Sequence, residues 1–219
     1  MELLFRSGVD INDKRGGGGT TALINASGQG HVDIVDFLLS HGADTEVKSF
    51  LGMTALMTAS EAGTIDAVDR LVAAGANVNA QNRNQSSVLM FAAEGGHVAV
   101  IDRLVVHGAD FHHQDREGEN ALMWASKEGR VEAVDRLLSL GCDVNAQSED
   151  GGTALMWASS RGNVDIVRML LDHGADPFLS SKNGWKALDS ASRFPEVQTL
   201  LNGLILLSFH HHHHHHHVP

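Results

Sequence analysis

Apolar side chains in this chain recur at two helical spacings separated by a short polar break. In one stretch Ala154, Leu155, Ala158 and Ser159 place small or apolar groups on one helical face, and Arg161-Gly162-Asn163 then interrupts the pattern. Val164, Ile166, Val167, Leu170 and Leu171 form a second apolar stripe. It stops at His173-Gly174, where glycine offers a left-handed helix cap. From Asp176 to Gly184 core residues thin out and turn formers accumulate, so an extended or hairpin-like loop is predicted. The predicted unit is a short helix, a tight turn, a second helix and a projecting loop.

The unit repeats. Thr-Ala-Leu stands at residues 21–23, 54–56 and 153–155, and Leu23, Leu56, Leu89, Leu122, Leu155 and Leu188 follow one another at a constant interval of 33 residues. Gly42, Gly75, Gly108, Gly141 and Gly174 keep the same period, each opening a Gly-Ala-Asp, Gly-Ala-Asn or Gly-Cys-Asp turn. Helices this short are marginal alone in water, so neighbouring pairs must stack to share a continuous core. The recurring small pairs Ala59-Ser60, Ala92-Ala93, Ala125-Ser126 and Ala158-Ser159 let first helices approach closely.

This pattern resembles the ankyrin repeat, whose hallmark runs T-P-L-H-x-A, a Gly-His turn, an I-V-x-L-L helix and G-A-D-V-N. The resemblance spans Gly19 to Asn183 in five full units, with a partial unit at each end. It implies an all-α solenoid of stacked helix pairs with hairpin-like loops. The expected division is a partial N-terminal repeat and glycine-rich loop over 1–18, then repeats at 19–51, 52–84, 85–117, 118–150 and 151–183. A C-terminal partial or capping repeat takes 184–209, and the histidine run within 210–219 reads as a purification tag.

The chain departs from the family at definite points. The motif proline is alanine at Ala22, Ala55, Ala121, Ala154 and Ala187 and valine at Val88, which removes a residue that pre-sets the helix start. The motif histidine is replaced by Met57, Met90, Met123 and Met156, expected to act as adaptable core filler without the imidazole's hydrogen bond. Met1 to Gly8 matches only the closing half of a unit, which points to a piece of a longer protein in preference to a degenerated N-terminal cap. Gly16 to Gly19 is expected to make a flexible first junction. Near the other end Pro195 replaces the Gly-His turn and Leu200-Leu201 closes a cap; Leu204 to Phe209 either packs on the last helix pair or continues beyond it.

Composition narrows the function. With 27 acidic against 16 basic residues the net charge is −11, which repels nucleic acid and anionic lipid. The single cysteine, Cys142, forms no internal disulfide and sits where other units carry alanine. A reducing, intracellular and cytoplasmic setting is expected, with no signal peptide in MELLFRSG and no membrane-spanning run. Nothing converges as a nucleophile, base and oxyanion donor would, so the chain is not expected to be an enzyme and no cofactor is expected. His112-His113 with Asp115 occupies one turn with no further groups to orient the imidazoles, so no metal site is expected. His41, His107 and His173 precede the glycine ending the second helix, where an imidazole can satisfy terminal carbonyls. Asp36, Asp69, Asp102 and Asp135, followed by Arg70, Arg103 and Arg136, form charged ladders expected on a solvated outer face.

The remaining ladder lies two residues after the motif leucine: Asn25, Thr58, Phe91, Trp124, Trp157 and Ser190. By the resemblance this position lies on the inner helices beside a concave groove, where Phe91, Trp124 and Trp157 suit either inter-repeat packing or a protein-binding hot spot. The resemblance also assigns contacts to loop tips and first-helix ends, here Arg83, Gln114, Arg116, Glu117, Glu119, Lys127, Glu128, Glu149, Arg161 and Lys182, a mixed set pointing to a protein partner of some basic character. The implied function is a monomeric, non-enzymatic protein–protein interaction scaffold. Two alternatives accompany it: the array as the targeting or regulatory segment of a larger, catalytic protein, and the array as the substrate of an asparaginyl hydroxylase. Asn79 and Asn145, each in Val-Asn-Ala-Gln, match the family's hydroxylation site.

Overall fold

The computed structural model describes residue 8 and residues 10–215, so the expected half-repeat over Met1–Gly8 lies almost wholly outside the described residues. Contacts divide the chain into two compact units, residues 1–116 and 117–219. Each is a series of stacked helix pairs, and no strand forms among the described residues; Gln81 and Ser87 make one isolated antiparallel bridge.

In the first unit the pairs are α1 (Ala22–Gln29) with α2 (Val32–Ser40), α3 (Ala55–Ala62) with α4 (Ile65–Ala73), and α5 (Val88–Gly95) with α6 (Val98–Val106). First helices α1, α3 and α5 pack in one row and α2, α4 and α6 in another. First helices begin where a hydroxyl caps an orphan amide: Thr21 Oγ1 accepts from the Ile24 N–H at 3.2 Å and Thr54 Oγ1 from the Met57 N–H at 3.3 Å. The methionine ladder is fully buried at Met57 and Met90, and its sulfurs also work as acceptors. Met57 Sδ takes the Thr54 N–H at 3.5 Å and Met90 Sδ the Ser87 N–H at 3.4 Å. A thioether thus stands as a weak third-position partner in a capping box, a role the sequence pattern does not reveal.

Second helices end as the histidine pattern predicts. His41 and His107 each donate a ring N–H four residues back, to Phe37 and Arg103 carbonyls, both at 2.8 Å. His97 instead reaches the preceding repeat, donating Nε2–H to the Glu61 carbonyl at 2.9 Å. The charged ladders also join neighbouring repeats, with Arg70 on Asp36 at 3.0 Å and Arg103 on Asp69 at 3.2 Å. These pairs are half exposed, and each contributes at most ~1 kcal/mol.

Loops are tied in series. Asn12 Oδ1 accepts from the Asp44 N–H at 2.9 Å, Glu46 Oε1 from Asn77 at 2.8 Å, and Asn79 Oδ1 from Asp110 at 2.9 Å. The glycine run has a definite shape where a flexible junction was expected. Gly17–Gly19 forms a 3-10 turn, the Phe50 N–H donates to the Gly18 carbonyl at 2.9 Å, and a Cβ on Gly19 would lie 2.5 Å from the Phe50 ring. Glycine is needed there because the loop passes over an aromatic face.

The second unit pairs α7 (Ala121–Lys127) with α8 (Val131–Ser139), α9 (Ala154–Ser160) with α10 (Val164–Asp172), and α11 (Ala187–Ser190) with α12 (Pro195–His215). Asn120 caps α7 through the Met123 N–H at 2.9 Å, and Thr153 caps α9 through Met156 at 3.2 Å. His173 closes α10 on the Met169 carbonyl at 2.8 Å. Leu201 is buried on α12, as a cap requires, whereas Leu206, Leu207 and Phe209 are exposed on its continuation. Leucine and isoleucine sustain the helix there even where no neighbour covers them.

Cys142 is buried, and loss of hydration pushes its thiol from the ordinary 9.0 up to about 11, which leaves it neutral and poorly nucleophilic. The small-residue row carries a cost, since the hydroxyls of Ser27, Ser60, Ser126 and Ser159 are buried without a hydrogen-bond partner among the described residues.

Candidate protein-binding surface

The expected aromatic ladder is not uniform. In the first unit Asn25 is exposed, Thr58 is half-buried and Phe91 is only 7% exposed, so Phe91 presents little area to a partner. In the second unit Trp124 and Trp157 are both half-buried, each keeping part of its indole at the surface. Thr153 starts α9 so that Trp157 falls one helical turn later, and Arg161, four residues on, shares its face. Lys127, at the end of α7, comes from the preceding repeat. Its Nζ lies 4.8 Å from the Trp157 ring centroid and Arg161 Cζ lies 5.8 Å from it. Both fall within cation–π range.

Beside Trp157 opens a hollow of about 250 Å³, bounded by Glu119, Ser148, Asp150, Met156, Ser160 and Ser190. Its walls carry two carboxylates and no cation. The first unit has a hollow of about 450 Å³ at the corresponding place, between Asn25, Gln29, Met53, Thr58 and Glu61, without an aromatic wall. The second unit therefore holds an aromatic centre that has two cations against its ring and borders a hollow walled by two carboxylates.

Of the other expected contact residues, Arg83 and Arg116 meet in the first unit, where the Arg116 guanidinium donates to the Arg83 carbonyl at 3.2 Å. Gln114 is exposed. In the second unit the Glu149 N–H donates to the Glu117 carbonyl and the Lys182 N–H to the Asp150 carbonyl, both at 2.8 Å, which lines successive loop tips together. Glu128 is exposed one turn beyond Trp124, and the side chains of Glu117, Glu149 and Lys182 are exposed. Ser160 was not foreseen at the hollow. Its position three residues after Trp157 is the signal that could have found it.

Asn79 and Asn145 are structural clamps. Asn145 Oδ1 accepts from the Asp176 N–H at 2.7 Å while Nδ2 donates to the Gly174 carbonyl at 3.1 Å. Asn79 does the same to Asp110 at 2.9 Å and Gly108 at 3.0 Å. With both amide ends engaged, a hydroxylase acting on either residue has to draw the loop away from its neighbour first. His113 donates Nε2–H to the Gln85 carbonyl at 2.6 Å, a use that takes this ring into loop structure. Among the described residues no three His, Cys, Asp or Glu side chains converge as metal ligands, and no helix is long and apolar enough to cross a membrane.

Stacked helix pairs, loops tied in series and a ladder of inner-helix side chains define a repeat array of the interaction-module class. The sequence matches the family described as ankyrin repeats (3 copies) over residues 1–82, 59–148 and 140–207, and the chain belongs to the ankyrin-repeat family. The crystal structure of the human ASB11 ankyrin repeat domain is similar to it, with a TM-score of 0.82 at 27% identity, covering 91% of this chain and 89% of that one. No curated protein sequence matches it. Ankyrin repeats are generally protein–protein interaction modules and are typically non-catalytic.

Proposed function

We propose that this chain is a non-enzymatic interaction scaffold that holds a protein partner against the inner-helix and loop-tip face of its second unit, around Trp124 and Trp157. The observation that carries this reading is Trp157, a half-buried indole flanked by two cations and bordering a hollow. Tryptophan and arginine at a partly dehydrated centre are the side chains that dominate binding energy at protein interfaces. The net charge of −11 supports a protein rather than a nucleic-acid partner. Loop tips Glu117, Glu149 and Lys182 would form the polar rim of the second unit. No step of this function needs a cofactor, and one copy of the chain suffices.

The test is capture from cell extract by the chain without its histidine run, in three forms. These are the parent, a Trp124→Ala, Trp157→Ala double variant, and an outer-face control, Arg70→Ala with Arg103→Ala, all matched for helicity and unfolding midpoint. A partner held by the parent and the control but lost by the tryptophan variant is expected. Retention by the tryptophan variant would remove these indoles from the binding surface.

A further inference from the structure

Lys127 and Arg161 are brought to one indole although like charges repel, and neither makes an ion pair among the described residues. The chain carries 27 acidic residues, so this is not for want of carboxylates. The ring satisfies the cations only through its π face. The ammonium's donors and the guanidinium's fork leave hydrogen-bonding capacity that a π face does not use, and the ring holds both head groups close to it.

Building on the scaffold reading above, we propose that Lys127, Trp157 and Arg161 form a receptor for one acidic side chain, Asp or Glu, on an extended segment of the partner. The carboxylate accepts from both cations at once, a charge-assisted arrangement stronger than either contact to water, and the indole edge meets the partner's adjoining methylenes. The hollow beyond Trp157 sets the selectivity. Glu119 and Asp150 on its walls repel a doubly charged phosphoryl group or a run of acids more than a single carboxylate, so the residue next to the acid is neutral or basic. The partner's basic character, expected from the mixed loop charges, then applies to the neighbour of the acid and not to the anchor.

The chain has three tryptophans, and Trp185, more than half exposed in a loop, serves as an internal control. The ¹⁵N-labelled full chain is titrated with the blocked peptide Ac-Gly-Glu-Gly-NH₂, with its glutamine counterpart Ac-Gly-Gln-Gly-NH₂, and with sodium phosphate, following the indole N–H resonances. The glutamate peptide is expected to move the Trp157 resonance saturably while Trp185 stays still, and added salt should weaken it. Lys127→Met and Arg161→Gln, which remove the charge while keeping an unbranched side chain compatible with a helix end, should each weaken it roughly tenfold.

An equal response to the glutamine peptide, or no saturable shift at the highest soluble concentration, overturns the proposal. Tighter binding of phosphate overturns it too, by assigning a phosphoryl site. If the tryptophan double variant loses a captured partner while the glutamate peptide fails to bind, the scaffold reading stands and this inference alone falls.

Discussion

Gln85 offers a clean perturbation. At the corresponding place in the other projecting loops stand Gly52, Gly118, Gly151 and Gly184, with φ of 84°, 76°, 82° and 79°. Gln85 holds φ 60° and is the one non-glycine residue with positive φ among the described residues. Crowding accompanies the dihedral, because a Cβ on Gly52 would lie 2.8 Å from the Arg83 nitrogen and one on Gly118 would lie 2.8 Å from that of Glu149. The left-handed region costs an L residue about 1–2 kcal/mol, and glycine gives back about 0.5–1 kcal/mol through the freedom of its unfolded chain. Gln85→Gly should therefore stabilise the protein by roughly 0.5–1 kcal/mol, or about 1–4 °C in midpoint for a chain of this size.

Urea unfolding followed by circular dichroism measures the shift. All three tryptophans lie in residues 117–219, so fluorescence reports that unit alone and shows whether the array unfolds in one step. Gln85→Ala supplies the control: it removes the side chain but keeps the Cβ and should gain nothing. Equal stabilisation by alanine and glycine would mean that the amide side chain, and not the backbone, is the source of strain. A loss of stability in Gln85→Gly would refute the reasoning outright.

Three further outcomes follow from the same geometry. Ser60→Ala, Ser126→Ala and Ser159→Ala should each raise stability by up to about 1 kcal/mol by deleting a buried hydroxyl without a partner, and Ala93 already occupies this place in one repeat. A drop in urea midpoint for all three would show that those hydroxyls are satisfied. Asn145→Ala, which cuts both contacts of the clamp to Gly174 and Asp176, should cost about 1–3 kcal/mol and speed amide exchange at Asp176. For Cys142 the folded thiol titrates near 11 against an ordinary 9.0, so the folded state binds the proton more tightly. Stability should be unaffected below about pH 8 and fall by up to about 1.4 kcal/mol per pH unit between these values, as the unfolded thiol ionises first. Cys142→Ala, compared at pH 7.5 and 10, should lose less over that interval than the parent.

The fold was legible because stacking imposes one environment on every repeat. A buried leucine and a small polar cap had to recur every 33 residues, as Leu56 and Thr54 do with their counterparts, while the helix-ending histidine returns in alternate repeats at His41, His107 and His173. What the period could not show is how a departure is absorbed. Methionine in place of the motif histidine reads as a lost hydrogen bond, yet Met57 and Met90 return one through sulfur. The glycine run reads as slack, yet Gly19 is fixed by the ring of Phe50.

The binding surface was legible only as a ladder, because a ladder specifies position and not surroundings. Phe91 and Trp157 hold equivalent places, but one is covered and the other only half-buried. Arg161 could have been foreseen at four residues from Trp157, and Lys127 at three short of one full repeat before it, since a first-helix end lies against the next first helix. The residue one turn beyond Trp124 is Glu128, where Trp157 has Arg161, so two tryptophans at the same register carry opposite charge on the same helical face. If the array bound its partner by apolar burial alone, this reversal would be idle. An acidic anchor gives it a use: it confines the carboxylate to Trp157 and so fixes the register in which an extended segment can lie.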